Sequence, residues 1–423
     1  MKPRIVILGA GFGGVYVGRR LKRLAKKGLI DLTIVNRTNY FLFTPLLHEV
    51  ATGGLGPRNV AEPLRQIFRD SGTKIVQAEI RSIDPEKRLV TVSGEQEGCV
   101  IPYDYLVLAS GAETNYYGIP GAKENTLPLK TLWDAIAIRS RIIDAFELGV
   151  LAKSPDELAR DLSFIVVGGG ATGVEAASEL AEFVREMKKK YFRKAGLQTR
   201  VSLIHTGKEL LEMFAPKLRL AAEKRLRKNK VDLLLGRTVV EASPSGLKMS
   251  DGTTVEAGTV IWAAGVKATA PAFVGTTPAL SGGRLVVDQY FRLQMSDRIF
   301  VLGDAAAYVD AHEFQKDSAK TRPVPMLAQA AVAQSRAVAH NVIASIRRRP
   351  LRNFHFESKG SMVSVGQWFA IGEIYSLHIA GSLAWWIWRT VYLFKFASWQ
   401  KRIRIAIDWT INSFYPRDIT KLT

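Results

Sequence analysis

Residues 163–175, SFIVVGGGATGVE, constrain the fold of this chain more than any other stretch. Phe164 to Val167 reads as a buried strand, followed by a glycine turn and the start of a helix. Gly168, Gly170 and Gly173 have the GxGxxG spacing. The first glycine allows a tight turn, and the second lets backbone approach a pyrophosphate whose charge faces a helix N-terminus. The third lets helix and strand pack closely. One such match is weak, because glycine-rich turns are common. This chain carries it twice. RIVILGAGFGG, residues 4–14, places Gly9, Gly11 and Gly14 after a second apolar strand, with Phe12 and Gly13 inside the motif. Two strand–glycine–helix units predict two bound nucleotides, with electrons passing between them.

A chain of 423 residues has room for two or three domains with real cores. The 59 Lys and Arg against 39 Asp and Glu give a net charge of +20. That excess suits nucleic acid, anionic lipid or anionic cofactors, or is merely a basic soluble surface; of these partners we expect no nucleic acid. The single cysteine, Cys99, excludes a disulfide framework, a CxxC redox pair and a cysteine-rich metal site. The six histidines show no ligand spacing, so no metal is expected. The single cysteine fits a reducing compartment, a strand beginning at Arg4 leaves no room for a signal peptide, and the cytoplasmic face of a membrane is the expected location.

The motifs predict an α/β chain with two Rossmann-like dinucleotide-binding domains, the second inserted in the first, and a separate C-terminal region. The expected division is 1–153 and 271–355 for the first dinucleotide-binding domain, 154–270 for the second, and 356–423 for the tail. In the first domain the second strand, Asp31 to Val35, is expected to end on the acid that binds ribose hydroxyls. The residues there are Asn36 and Arg37; an amide hydrogen-bonds a hydroxyl more weakly than a carboxylate does. The loop 39–54, NYFLFTPLLHEVATGG, carries Thr44, His48 and Glu49, and reads either as a packed loop or as a wall of the flavin pocket. Residues 74–92 alternate like antiparallel strands, and 154–161 reads as a linker. Buried strands ending in small residues deliver Gly111, Gly265 and the pair Gly303–Asp304, where backbone can approach a cofactor. Asp304 can hold a flavin ribityl hydroxyl or cap a helix. Residues 325–346 read as a long alanine-rich helix that carries Ala328 and Gln329 near its start.

Two dinucleotide sites imply a flavin and a nicotinamide, with hydride passing from the second to the first. Glu175 falls two residues past Gly173, in what reads as the first helical turn. It can compensate the helix dipole or relay protons. There is no GxSxG and no second cysteine, so nucleophilic and disulfide chemistry are not expected.

The tail differs in kind. Residues 378–396 are apolar and aromatic but are interrupted by Arg389 and Lys395. Residues 398–415 are amphipathic, with Trp399, Ile403, Ala406, Ile407, Ile411 and Phe414 on one face and Lys401, Arg404, Asp408 and Asn412 on the other. This pattern suits a helix lying in a membrane interface, or one packed on the body or in a dimer.

Taken together, GAGFGG, FTPLLHEVATG, ASGAETNYYGIPG, VVGGGATGVE, WAAGV, FVLGDAAA, the Ala328–Gln329 helix and the aromatic basic tail resemble the type II NADH dehydrogenases. These are single-subunit, non-proton-pumping NADH:quinone oxidoreductases, and the resemblance covers nearly the whole chain. It implies non-covalent FAD on Gly9, Gly11, Gly14 and Asp304, and NADH on Gly168, Gly170 and Gly173. It places Glu175 near the quinone and nicotinamide, makes Gln329 the first glutamine of a quinone-site motif AQxAxQ, and implies a membrane anchor and a homodimer. Three departures stand out. His205 replaces the acid ending the second strand of the NADH unit, so NADPH is expected to be used as well. Ala333 replaces the second glutamine of AQxAxQ, with Gln334 one residue and 100° late, which alters the expected acceptor site. Gln367 stands where many members carry a basic residue. The competing reading is a soluble reductase feeding a protein partner such as a ferredoxin, and the tail separates the two.

Overall fold

The computed structural model describes residues 2–93, 98–151, 154–310, 323–375, 377–396 and 398–421. They form two compact units. One comprises Met1–Leu42, Glu62–Glu113 and Val266–Ser358; the other Phe43–Ala61, Thr114–Gly265 and Lys359–Thr423.

The first unit is built on a five-stranded parallel sheet in the order Ile299–Val301, Tyr105–Leu108, Arg4–Leu8, Asp31–Asn36, Lys74–Gln77. The chain leaves the central strand Arg4–Leu8 through the helix Phe12–Lys26 and returns beside it. Continuous apolar runs such as Ile5 to Leu8 and Leu106 to Leu108 are fully buried, as parallel strands covered on both faces require. The helix Ala328–Ile346 packs on Phe12–Lys26. Residues 74–92 do not form one antiparallel set, as their alternation suggests. Lys74–Gln77 is the parallel edge of the main sheet, and only Glu79–Asp84 and Leu89–Ser93 pair antiparallel. Short alternating strands carry no signal of partner direction.

The second unit repeats the plan: Leu127–Pro128, Thr259–Trp262, Ser163–Val167, Arg200–His205, Val231–Leu235, again all parallel and again centred on the glycine-loop strand. Its core joins Ile165, Val167, Ile204 and Trp262. The expected linker 154–161 is a helix, Pro155–Asp161. Ser154 caps it by accepting from the Glu157 N–H, with Pro155 at its first position and two acids in its first turn, a start signal that the polar composition masked.

The C-terminal region belongs to this second unit. Three antiparallel strands, Ser361–Ser364, Ala370–Ile374 and Leu377–Gly381, precede the helices Ser382–Lys395 and Trp399–Phe414. Residues 378–381 are therefore strand rather than helix, and the apolar helix is 14 residues long. Among the described residues no helix is long and apolar enough to cross a membrane.

The last helix meets the protein through a mixed side: Ile405 and Trp409 are buried there beside polar groups, with the Lys401 ammonium donating to the Arg58 carbonyl, Asp408 accepting from Asn59 and from the Gly56 N–H, and Asn412 donating to the Gly54 carbonyl at 2.7 Å, while Arg404 is exposed. Its apolar side faces out, with Ile403, Ile407 and Ile411 about half exposed and Phe414 81% exposed. Leu383 and Phe394 on the preceding helix are exposed as well.

Candidate active site

The two glycine loops are geometric copies. In the first, a Cβ on Gly9 would sit 2.3 Å from the Ala109 carbonyl oxygen, and one on Gly14 only 1.9 Å from the Gly9 oxygen. In the second, a Cβ on Gly168 would sit 2.4 Å from the Ala263 oxygen, and one on Gly173 only 1.8 Å from the Gly168 oxygen. No side chain fits such distances. The middle glycines differ: nothing lies within 4 Å of a Cβ on Gly11 or Gly170. Each is the N-cap of its helix, and neither helix has a side-chain cap. Each loop therefore presents uncapped N–H groups and open space at a helix N-terminus, which fits a pyrophosphate.

Asn36 and His205 end the second strands of the two units, and both side chains are turned back onto the adjoining glycine loop. The Asn36 amide oxygen accepts from the Ala10 N–H at 2.9 Å, and its NH2 donates to the Thr38 carbonyl at 2.9 Å. The His205 Nδ1 accepts from the Gly169 N–H at 3.2 Å. Burial pushes the His205 imidazole below its ordinary pKa, so the ring is neutral at pH 7. With Nδ1 an acceptor, Nε2 carries the hydrogen.

The remaining expected cofactor residues fall as follows. Phe12 and Gly13 start the first helix, with the Phe12 ring edge-on to Phe41. Arg37 is exposed beside Asn36, and Gly111 takes a left-handed φ of +75° with open space around it. Gly303 and Asp304 lie in a short 3-10 turn, and Ala328 and Gln329 open the long helix of the same unit. Thr44 opens a 3-10 turn of the second unit. Gly265 is in that unit too, where a Cβ would meet the Tyr117 hydroxyl at 2.3 Å. Gln334, the displaced glutamine, is 1% exposed and accepts from the Gly303 N–H at 2.7 Å. It positions the turn carrying Asp304. Nearby, the buried Arg284 guanidinium has no hydrogen-bond partner for Nε or Nη2 among the described residues and feels the Asp304 carboxylate, so it offers donors at this turn.

Glu175 is the fifth residue of the helix Ala171–Lys190 and is 7% exposed, one turn deeper than expected. Its Oε1 accepts from the Ser364 N–H at 3.2 Å, and its Oε2 lies 3.7 Å from the His48 Nδ1. Burial raises the Glu175 pKa well above its ordinary value, which favours the protonated carboxyl over a charge set against the helix dipole. Burial lowers His48 to about 4, so that ring is neutral. Sequence reasoning missed what surrounds this carboxyl. Glu49 donates no charge freely: burial lifts it to about 7, while the Trp409 indole N–H donates to its Oε2 at 2.6 Å. Glu179 and Glu182 are buried on the same helix, with the buried Arg417 donating to the Glu179 Oε2 at 2.8 Å. The spacing of the three glutamates along one helix was visible in the sequence; their arginine, some 240 residues away, was not.

Two parallel sheets, each with a glycine cradle at the end of its central strand, define a two-nucleotide flavoprotein fold, and residues 3–335 match the pyridine nucleotide-disulphide oxidoreductase family. Residues 358–418 match the NDH2 C-terminal domain. The chain is 31% identical to the type II NADH:quinone oxidoreductase NdhA of Mycobacterium tuberculosis, over 97% of this chain and 87% of that protein. It is also 31% identical to the internal alternative NAD(P)H-ubiquinone oxidoreductase A1 of Arabidopsis thaliana, over 100% of this chain and 86% of that one. Within its class, the chain belongs to the type II NADH dehydrogenases. The structure of NDH2 from Plasmodium falciparum in complex with NADH shares the fold, with a TM-score of 0.90, 24% identity and full coverage of both chains.

Proposed function

We propose that this protein is a FAD-dependent NADH:quinone oxidoreductase that works at a membrane surface without pumping protons. The observation that carries the reading is the paired cradle: two helix N-termini, each opened by a middle glycine with nothing opposite it. Gly9, Gly11, Gly14 and Asp304 would hold FAD, with Phe12, Gly13, Gly111 and Gly303 lining its approach. Gly168, Gly170 and Gly173 would hold the nicotinamide nucleotide, with His205 at the ribose and Gly265 beside the loop. Bound FAD would supply the two-electron chemistry that links a hydride donor to a quinone.

The chain's own contribution lies in binding and in proton supply. Glu175 is buried with its pKa raised, which suits it to offer a proton, and the Ser364 N–H fixes the direction of its Oε1. The His205 Nε2–H is a donor. It lacks both the acceptor power toward a 2′-hydroxyl and the negative charge that would repel a 2′-phosphate, so NADPH is accepted as well as NADH. Gln334 braces Gly303, so the altered AQxAxQ motif leaves Gln329 as the acceptor-side glutamine.

The outward apolar face of residues 399–414, with the exposed Leu383 and Phe394, supports a monotopic membrane anchor, which on our reading lies on the cytoplasmic face. Pairing of two copies through the same C-terminal region is the alternative use of that face. A soluble reductase would have no need of it.

Anaerobic mixing tests the reading. NADH and NADPH should each bleach the flavin, and quinones of differing tail length should restore it. Flavin bleached by neither nucleotide would overturn the assignment. Liposome flotation should recover the full chain and lose one truncated after residue 375.

A further inference from the structure

The turn between the paired strands Ser361–Ser364 and Ala370–Ile374 holds Trp368 in a left-handed backbone, φ +64°. A bulky residue adopts that conformation only where its surroundings impose it. Here three hydrogen bonds do so. The Val365 N–H donates to the Phe369 carbonyl at 2.9 Å, the Gln367 N–H to the Glu182 Oε2 at 2.8 Å, and the Arg225 Nη2 to the Gln367 carbonyl at 2.6 Å. Trp368 is nonetheless 47% exposed, so the strain fixes an indole at the surface rather than in a core.

That indole lines a surface cavity of about 320 Å³ in the second unit, together with Glu182, Arg185, Glu186, Lys189 and Lys190. Clefts that hold small ligands run from roughly 300 to 1,000 Å³. The two acids are held by partners inside the protein. The Glu186 Oε1 accepts from the Arg417 N–H at 2.8 Å, and its Oε2 lies 3.6 Å from the Arg417 Nε. The Glu182 Oε1 lies 3.6 Å from the Arg225 Nη2, and burial raises its pKa to about 7, which lessens its charge further. Arg185, Lys189 and Lys190 are exposed and, among the described residues, form no ion pair. The uncompensated charge of the cavity is positive.

The same indole joins the cavity to the outward apolar face. Its ring lies 4.6 Å from that of Trp385 and 5.8 Å from that of Trp386. Trp386, 54% exposed, stands three residues after Leu383 and eight before Phe394 on the helix Ser382–Lys395, so the three share its exposed side. Apolar side chains, then tryptophan, then lysine and arginine is the order of groups that matches a membrane from hydrocarbon out to headgroups.

We propose that the cavity bounded by Trp368, Arg185, Lys189 and Lys190 takes the phosphate of an anionic phospholipid headgroup from the membrane on which the apolar face lies. This rests on the reading of that face as an anchor. Arg185 offers a planar fork to phosphate oxygens, and the two lysines offer point charges. Gln367 anchors the turn through its backbone, and the cations come instead from the helix Ala171–Lys190. A soluble phosphate would present the same anion, but the run of aromatic rings from the cavity to the apolar face favours a lipid.

The test floats the FAD-loaded full chain with vesicles of phosphatidylcholine alone and of phosphatidylcholine with phosphatidylglycerol. Wild type should bind the anionic vesicles at least about tenfold more tightly. The triple variant Arg185→Gln, Lys189→Gln, Lys190→Gln should lose at least about fivefold of that preference and bind phosphatidylcholine within about twofold of wild type. A control triple, Lys26→Gln, Lys27→Gln, Lys87→Gln, removes equal charge from exposed positions of the first unit and should keep the preference within about twofold. Trp368→Gly keeps every charge, suits the left-handed backbone and opens one wall; it should lower the preference at least about threefold. Equal losses in the two triples would reduce the preference to net charge and overturn the site. Wild type that floats equally with both vesicles would overturn the site and leave the anchor standing, whereas failure to float with either would overturn both. Inorganic phosphate that protects wild type against heat more than the first triple, without any anionic preference in flotation, would assign the cavity to a soluble anion and overturn the lipid.

Discussion

The Gly169 N–H donates to the His205 Nδ1 at 3.2 Å, so the residue proposed to select the coenzyme is tied to the second glycine loop. The bond leaves Nε2 protonated and turns a position that usually accepts from ribose hydroxyls into a donor. The kcat/KM values for NADH and NADPH should therefore differ by less than about tenfold, a gap of under about 1.4 kcal/mol. His205→Glu restores an acceptor and a charge that repels a 2′-phosphate, and should move the ratio at least about tenfold toward NADH. A hundredfold preference of the wild type for NADH would contradict this account.

The middle and last glycines of the second loop should fail in different ways. Gly170→Ala adds a methyl to open space, so the fold is unaffected, but the methyl occupies the pyrophosphate's approach. We expect an unchanged thermal midpoint, normal flavin content and a KM for NADH raised about tenfold, equivalent to about 1.4 kcal/mol. Gly173→Ala forces a methyl to 1.8 Å from the Gly168 oxygen and should cost about 1–3 kcal/mol in stability by displacing helix from strand. A thermal melt of each variant beside its NADH kinetics separates the two, and equal midpoints would refute the distinction.

Much of this was legible because glycine spacing encodes a backbone shape that nothing else can adopt. Gly9, Gly14, Gly168 and Gly173 announced both sheets and both cradles before any contact was known. Partners remote in sequence were not legible. Nothing in the local pattern pairs Arg417 with Glu179, or spends Gln334 on the Gly303 N–H, because tertiary packing made those pairs. The amphipathicity of 399–414 was visible, but not its direction. Lys401 and Asp408, which composition places in water, instead meet the backbone of the 43–61 segment.

That orientation gives a test of the anchor. Ile403 and Ile407 are 49% and 50% exposed, so replacing both by glutamate touches no core and should change stability by less than about 0.5 kcal/mol each. If the face lies in lipid, each substitution forfeits roughly 1.5–3 kcal/mol of burial there, and the double variant should stay in the soluble fraction on liposome flotation. Lys401→Ala, on the inward face, should lower the melting midpoint and leave flotation of the folded protein intact. Unchanged flotation of the double glutamate variant would assign the face to something other than lipid.

The buried carboxyl of Glu49 makes stability depend on pH in a direction opposite to that of most acids. Burial, opposed only in part by Arg389 and by the Trp409 indole, lifts its pKa from 4.5 to about 7. Between those values the folded protein keeps a proton that the unfolded chain releases, so this residue's contribution to stability falls as pH rises from 4.5 toward 7 and is constant above. His48, lowered by burial from 6.5 to about 4, works the other way between those values, but its effect is common to wild type and variant and cancels in their difference. Glu49→Gln keeps an acceptor for the Trp409 N–H and removes the titration. The variant should gain about 3 kcal/mol relative to wild type at pH 8 over its standing at pH 4.5, from a shift of that size at about 1.36 kcal/mol per pH unit. Chemical denaturation of the two FAD-loaded proteins at both values measures the gap, and a difference that does not change with pH would show that Glu49 is ionised in the folded state.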